Sequence, residues 1–151
     1  MNAYEQLKRF SETCEMVASD VGIGICITVV DAHGNLVLVH RMPDVGVLSL
    51  EMAERKAYTS AVMGVESGSL LARIQPGLPD YTLTSSSNRL IAFGGGTNVR
   101  FDSEVFGIGI SGGPTAVEDM EILASAQDRF ESEDAVWAER TFRGRAGATA
   151  T

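Results

Sequence analysis

The residues able to do chemistry fall in a few short stretches. Glu54-Arg55-Lys56 sets a carboxylate and an ammonium within one helical turn of the run SLEMAERKAYTSA. Lys56, flanked by Met52/Ala53 and Ala57/Tyr58, could point into a pocket and serve with Glu54 in acid–base work if desolvation lowered its pKa. The same residues would also suit a solvated helix face with intrahelical ion pairs such as Glu51 with Arg55. In GGGTNV, Gly94, Gly95 and Gly96 would let a planar ligand lie against the backbone without Cβ collisions. Thr97 adds a hydroxyl and Asn98 an amide. The structural alternative is a hairpin turn with a β-bulge. In SGGPTAVE, Ser111, Gly112 and Gly113 precede a helix start, where unpaired amides suit a carboxylate or phosphate. Glu118 could instead satisfy that cap internally. His33 and His40 are the only histidines, which excludes a multi-histidine metal centre within one subunit. No Ser-His-Asp set is evident, and the glycine run lacks the GK[ST] of a phosphate-binding loop.

The elements that must position these residues are legible from patterning. Asn2 and Glu5 form a capping-box arrangement, and Leu7, Phe10, Cys14 and Val17 follow at helical spacing. Residues 23–30, rich in Ile and Val, predict a buried strand. The turn residues of 31–35 and a second strand over 36–40 complete an antiparallel hairpin. Ser49 is expected to cap a helix running to about Met63. Residues 64–88 predict an irregular connection with a short helix over 69–74, a length that often marks function or a partner. Short strands are expected over 90–93 and 99–101, separated by a glycine bend, and another over 105–110 after a turn at Asp102 and Ser103. Thr115 and Glu118 form a second capping box for a helix to about Phe130.

This order of elements predicts an α+β domain, an antiparallel sheet of about five strands with helices packed on it. Both faces of the strand over residues 23–30 are apolar, so the second face needs either a partner subunit or a second helix layer. One domain over 1–130 and a C-terminal extension over 131–151, with 146–151 disordered, follow from the pattern. The chain has 151 residues, 44% apolar and 21% charged, enough for one ordinary core. Twelve basic against 20 acidic residues give a net charge of −8, which disfavours nucleic acid as a partner. No run approaches a membrane span, and MNAYEQLKRF lacks a secretory h-region, so a cytoplasmic protein with Cys14 and Cys26 as buried reduced thiols is expected.

VVDAHGNLV, SLEMAERKAYTSA, AFGGGTNV and GIGISGGPTAVEDMEIL occur in that order. Over roughly residues 3–130 the chain resembles the GlcG/HbpS-like heme-binding family, which also supplies the C-terminal domain of PduO-type proteins. The resemblance implies a profilin/PAS-like fold, a homo-oligomer, and heme as cofactor, with heme degradation or iron and redox sensing as roles of some members. It places Thr97 by the heme, as a weak, exchangeable iron ligand compared with histidine or thiolate, and lets Lys56 pair with a propionate. His40, or His33, could ligate iron across a subunit boundary. Some members carry an axial histidine in the first helix, but residues 3–19 contain none.

Two functions follow. One is a heme-binding oligomer, with Lys56, Arg89 and Arg100 suiting a flat apolar dianion. The other is an enzyme or accessory protein for a small carboxylate or carbonyl metabolite. There Lys56 and Glu54 would be the acid–base pair, and Thr97 with Ser111, Gly112 and Gly113 would hold the ligand oxygen.

Overall fold

The structure is a computed structural model that describes residues 1–133. Most of the expected extension, including 146–151, lies outside the described residues. The elements are α1 (Ala3–Asp20), β1 (Cys26–Asp31), β2 (Leu36–Arg41), α2 (Val47–Met63), a 3₁₀ turn (Ser67–Ala72), α3 (Leu83–Ser86), β3 (Gly96–Phe101), β4 (Glu104–Ser111) and α4 (Ala116–Glu133). The strands form one antiparallel sheet in the order β2-β1-β4-β3.

The fold class is α+β, but the sheet has four strands rather than about five. Residues 90–93 do not pair as a strand. The Ile91 amide is taken by the Thr59 hydroxyl of α2, at 3.0 Å, which ties the segment to a helix instead of a sheet edge. The glycine run is also not a hairpin turn. Gly96, Thr97 and Asn98 lie inside β3, opposite Gly109, Ile108 and Gly107. The turn falls later, where Asp102 and Ser103 both have positive φ.

Local chemistry explains the helix ends. At α1 the Asn2 side chain accepts from the Glu5 amide and the Glu5 carboxylate accepts from the Asn2 amide, a full capping box. At α4 the Thr115 amide donates to Glu118 and the Val117 amide to the Thr115 hydroxyl. The helix α2 begins two residues before the expected Ser49, after Gly46 and with no side-chain cap. It ends at Gly64, which takes the left-handed conformation at φ 69°.

The period-two alternation of β1 divides the core. Ile25, Ile27 and Val29 join Phe106, Ile108 and Ile110 beneath α1 and α4, which contribute Leu7, Phe10, Leu123 and Phe130. Phe10 and Phe130 meet edge-to-face at 5.3 Å, joining the two helices. On the opposite face Cys26 packs with Ala53, and Val30 with Ala57 and Ala61, all three alanines on α2. That helix is the second layer that the apolar strand required. It lies almost on the backbone: a Cβ at Gly109 would fall 2.0 Å from Ala53 O, and one at Gly107 2.1 Å from Ala57 O.

The long connection from α2 to β3 is closed at its base. The Ser67 hydroxyl donates to Phe93 O at 2.6 Å and accepts from the Gly96 amide at 2.9 Å. Further out, Arg89 stacks on the Tyr58 ring at 3.8 Å and donates to Gly34 O at the β1–β2 hairpin.

Candidate functional site

Lys56 enters from α2 and is almost wholly buried, at 2% exposure. Its Nζ donates to Ile110 O at 2.8 Å and to Asp119 Oδ2 at 2.9 Å. Asp119, itself 3% exposed on α4, accepts the Gly113 amide on Oδ1 at 2.8 Å. The glycine corner at the start of α4 therefore receives a carboxylate from within the chain. Burial pushes the Lys56 pKa down, and the neighbouring Asp119 charge only partly opposes this. Glu54 is on another side of α2, exposed and 3.7 Å from Arg89, so the structure does not bring it to Lys56.

Gly95 sits directly over this pair. Its φ is +115°, and a Cβ there would fall 2.7 Å from Ile110 O and 3.0 Å from Lys56 Nζ. Gly112, at φ +140°, is pressed against Gly24, whose carbonyl would lie 2.3 Å from an added Cβ. Both positions thus need glycine for packing and for conformation. Ser111 closes β4 opposite Cys26 and is nearly buried.

Thr97 and Asn98 point to opposite faces of β3. Thr97 shares the face of Val99 and Phe101, beneath α1 and α4, is fully buried, and leaves Oγ1 without a partner. Asn98 donates to Ser60 O on α2, and its Oδ1 is unpartnered. His40 lies on β2, the sheet edge opposite β3, with Nδ1 2.7 Å from Glu15 of α1. The Asp31 turn beside His33 is closed by hydrogen bonds from the amides of His33 and Asn35. Cys14 and Cys26 are free, buried thiols, and burial pushes both pKa values up. Among the described residues no cluster of His, Cys, Asp or Glu could hold a metal ion, and no helix is long and apolar enough to cross a membrane.

The other side of the glycine run borders a pocket of about 370 Å³. Gly94, Gly95 and Gly96 line one side, Glu66, Gly68 and Ser69 the rim, and Met120, Leu123, Ala124 and Gln127 of α4 the far wall. That volume is at the small end of ligand pockets. A larger cleft of about 520 Å³ lies between α1 and the segment after β2, where Arg129 pairs with Asp20 at 3.4 Å and Glu15 with His40 at 2.7 Å.

Sequence reasoning missed Asp119, Met120 and Gln127. The first is 63 positions from Lys56, so no local pattern announces it. The two pocket residues follow α4 at +7 spacing, a helical-face signal hidden behind the core stripe of Ile122, Leu123, Ala126 and Phe130.

Comparison with known proteins places this architecture. The chain is 32% identical over 126 residues to the corrinoid adenosyltransferase PduO of Citrobacter freundii, covering 82% of this chain but only 37% of that relative. It is also 32% identical to a 15.0 kDa protein from the dhaT–dhaS intergenic region of Citrobacter freundii, covering 82% of this chain and 87% of that protein. Among solved structures, the PduOC:heme complex superposes with a TM-score of 0.76 at 32% identity, over 82% of this chain and 91% of its own. A family model described as "Haem degrading protein HbpS-like" matches residues 3–128, and the chain belongs to that family.

Proposed function

We propose that this protein binds heme, with the macrocycle entering the pocket against Gly94, Gly95 and Gly96. The observation that carries the reading is that glycine floor. The backbone of these three residues borders a pocket whose other lining includes the apolar Met120, Leu123 and Ala124, and it is at Gly94 that an added side chain would meet Met120. Similarity to the PduOC:heme complex supports the same ligand. A Cβ at Gly94 would fall 2.1 Å from Met120 Sδ, so the Met120 side chain rests on the Gly94 backbone and would have to swing aside to admit a ring there; Gln127 brings an unpartnered amide to the wall. No cation lines the pocket, so the propionates would face solvent. When bound, heme would supply iron redox chemistry; this chain's residues supply shape and exclusion of water.

Lys56 holds the floor in place from behind through Ile110 and Asp119, rather than contacting the ligand. That arrangement disfavours the metabolite enzyme, whose acid–base pair the structure separates. Homo-oligomerisation belongs to the same reading. It is supported by Val47 and Leu48, both largely exposed at the start of α2, and is measured by light scattering with and without hemin.

The test is a hemin titration of the purified protein beside Gly94→Ala. The nearest atoms to the added methyl all belong to the flexible Met120 side chain, which would swing into the pocket while the fold survives. A saturable, stoichiometric Soret shift in the wild type, weakened in Gly94→Ala, is expected. A shallow slope identical in both proteins would refute the reading.

A further inference from the structure

The pocket beside the glycine run is bordered by hydrogen-bond donors that the protein itself leaves open. Gln127 lines its α4 wall, is 3% exposed, and its Nε2 has no partner among the described residues. Native interiors rarely leave such a group uncompleted. A second donor lies on the glycine side, where the β3–β4 ladder breaks off. The Ile110 amide donates to Gly95 O at 2.8 Å. A regular antiparallel pair would return a bond from the Gly95 amide to Ile110 O. Lys56 Nζ donates to that carbonyl instead, and the Gly95 amide, at φ +115°, donates to none of the described residues.

Whatever completes these two donors must bring an acceptor oxygen. The rest of the lining sets its chemistry. Met120, Leu123 and Ala124 offer an apolar wall. Glu66 is the one charged residue of the lining, and it is acidic. The Lys56 ammonium behind Gly95 is already paired with Asp119. An anion would therefore meet like charge at the rim and find no free cation to offset its desolvation. An uncharged carbonyl oxygen needs only neutral donors. The volume of about 370 Å³ suits a small molecule, with Met120 left where it lies.

We propose that this pocket binds a small uncharged carbonyl compound. Its oxygen accepts from Gln127 Nε2 and the Gly95 amide, and its apolar body lies against Met120, Leu123 and Ala124. This goes beyond the heme reading and does not depend on it. The small ligand is held with Met120 seated on Gly94, whereas a ring needs Met120 displaced, so the two ligands exclude one another.

The test is a titration of ¹⁵N-labelled, heme-free protein with acetophenone and with benzoate, a similar shape carrying a negative charge. With acetophenone, saturable shifts of the Gly95 amide and Gln127 side-chain amide signals are expected. Benzoate should bind more weakly by on the order of tenfold or more, and Gln127→Met, which keeps the length and removes the donor, should weaken acetophenone by on the order of tenfold. Should Gln127→Met fail to fold, the side-chain amide shift in the wild type decides alone. No saturable binding, leaving water as the only occupant, would overturn the proposal. Shifts confined to residues away from the pocket, or benzoate bound as tightly as acetophenone, would overturn it too. Acetophenone bound at this site with hemin failing to bind would sink the heme reading and leave this inference standing; the reverse result would do the opposite.

Discussion

Asp119→Ala would strand a charge in the middle of the protein. Lys56 Nζ would keep only Ile110 O as a partner, and the Gly113 amide would lose its acceptor. Removing one member of a buried ion pair typically costs about 3–5 kcal/mol, and orphaning a buried amide about 1–3 kcal/mol. Water entering the vacated space offsets part of this, so a net loss of about 4 kcal/mol is expected. For a chain of this size that lowers Tm by about 8–16 °C. The double variant Lys56→Met/Asp119→Leu removes both charges and should regain most of the loss, because the desolvation cost disappears with the pair. The pH dependence has a definite sign. Without Asp119 the folded-state pKa of Lys56 falls further below its unfolded value. The unfolded chain then binds more protons between the two values, so the stability of Asp119→Ala rises with pH through that window. Its gap to wild type should narrow as pH climbs toward the ordinary lysine range. Urea unfolding of wild type, both single variants and the double variant, at neutral and alkaline pH, measures every term. A cost below about 1 kcal/mol for Asp119→Ala, with strictly additive single effects, would refute the account of a desolvated, coupled pair.

Gly109→Ala should destabilise by about 1–3 kcal/mol or more, since its methyl would lie 2.0 Å from Ala53 O and must lift α2 off the sheet; chemical denaturation reads it. Thr97→Val removes a buried hydroxyl with no partner and should leave stability equal or up to about 1 kcal/mol higher. At Asp31, slight burial raises the pKa, but hydrogen bonds from Asn35 and the His33 amide outweigh it and hold the carboxyl below its usual value. A depressed carboxylate stabilises above its unfolded pKa and loses that contribution as pH falls through the folded value. The stability gap between wild type and Asp31→Asn should therefore be full at neutral pH and close in acid, as followed by thermal melts. Cys14 should resist thiol reagents in the native state and react only at the rate of unfolding, because burial keeps it protonated. Fast, stoichiometric labelling of a Cys26→Ala variant would contradict that.

Local chemistry was readable where it acts locally. The Asn2–Glu5 and Thr115–Glu118 caps, the Asp31 turn and the alternation of β1 all stood in the sequence, because each involves residues a few positions apart. The start of α2 misled: Ser49 has capping chemistry, but the chain enters the helix at Gly46 so that Ala53 and Ala57 can meet Gly109 and Gly107. The glycine run read as a bend because Gly94 and Gly95 do bend. The strand beginning at Gly96 is imposed by β4, and the Cβ-free surface there serves α2 as well, with Lys56 O 2.5 Å from a Cβ at Gly96. The sequence left Lys56 open between a pocket and a solvated face; it is buried, and the Asp119 that satisfies it lay beyond any local pattern. The pocket wall was hidden for a related reason. A helix that packs its apolar stripe on a sheet can carry a second, narrower face, and only the fold shows what that face meets.

The two hydrogen bonds of the Ser67 hydroxyl give the connection between the 3₁₀ turn and β3 the character of an exchangeable cassette. Its two ends are clasped side by side, and beyond that base the segment is tied back by Arg89 to Gly34 O and by the Ile91 amide to Thr59. Lengthening such a closed loop adds only about 0.6 kcal/mol for each doubling. Chains sharing this sheet and its three long helices can therefore carry very different outer loops, provided that the serine, the two backbone groups it joins and the Arg89 and Ile91 ties are kept. New contacts could be gained there, one insertion at a time, without redesigning the slot beside it.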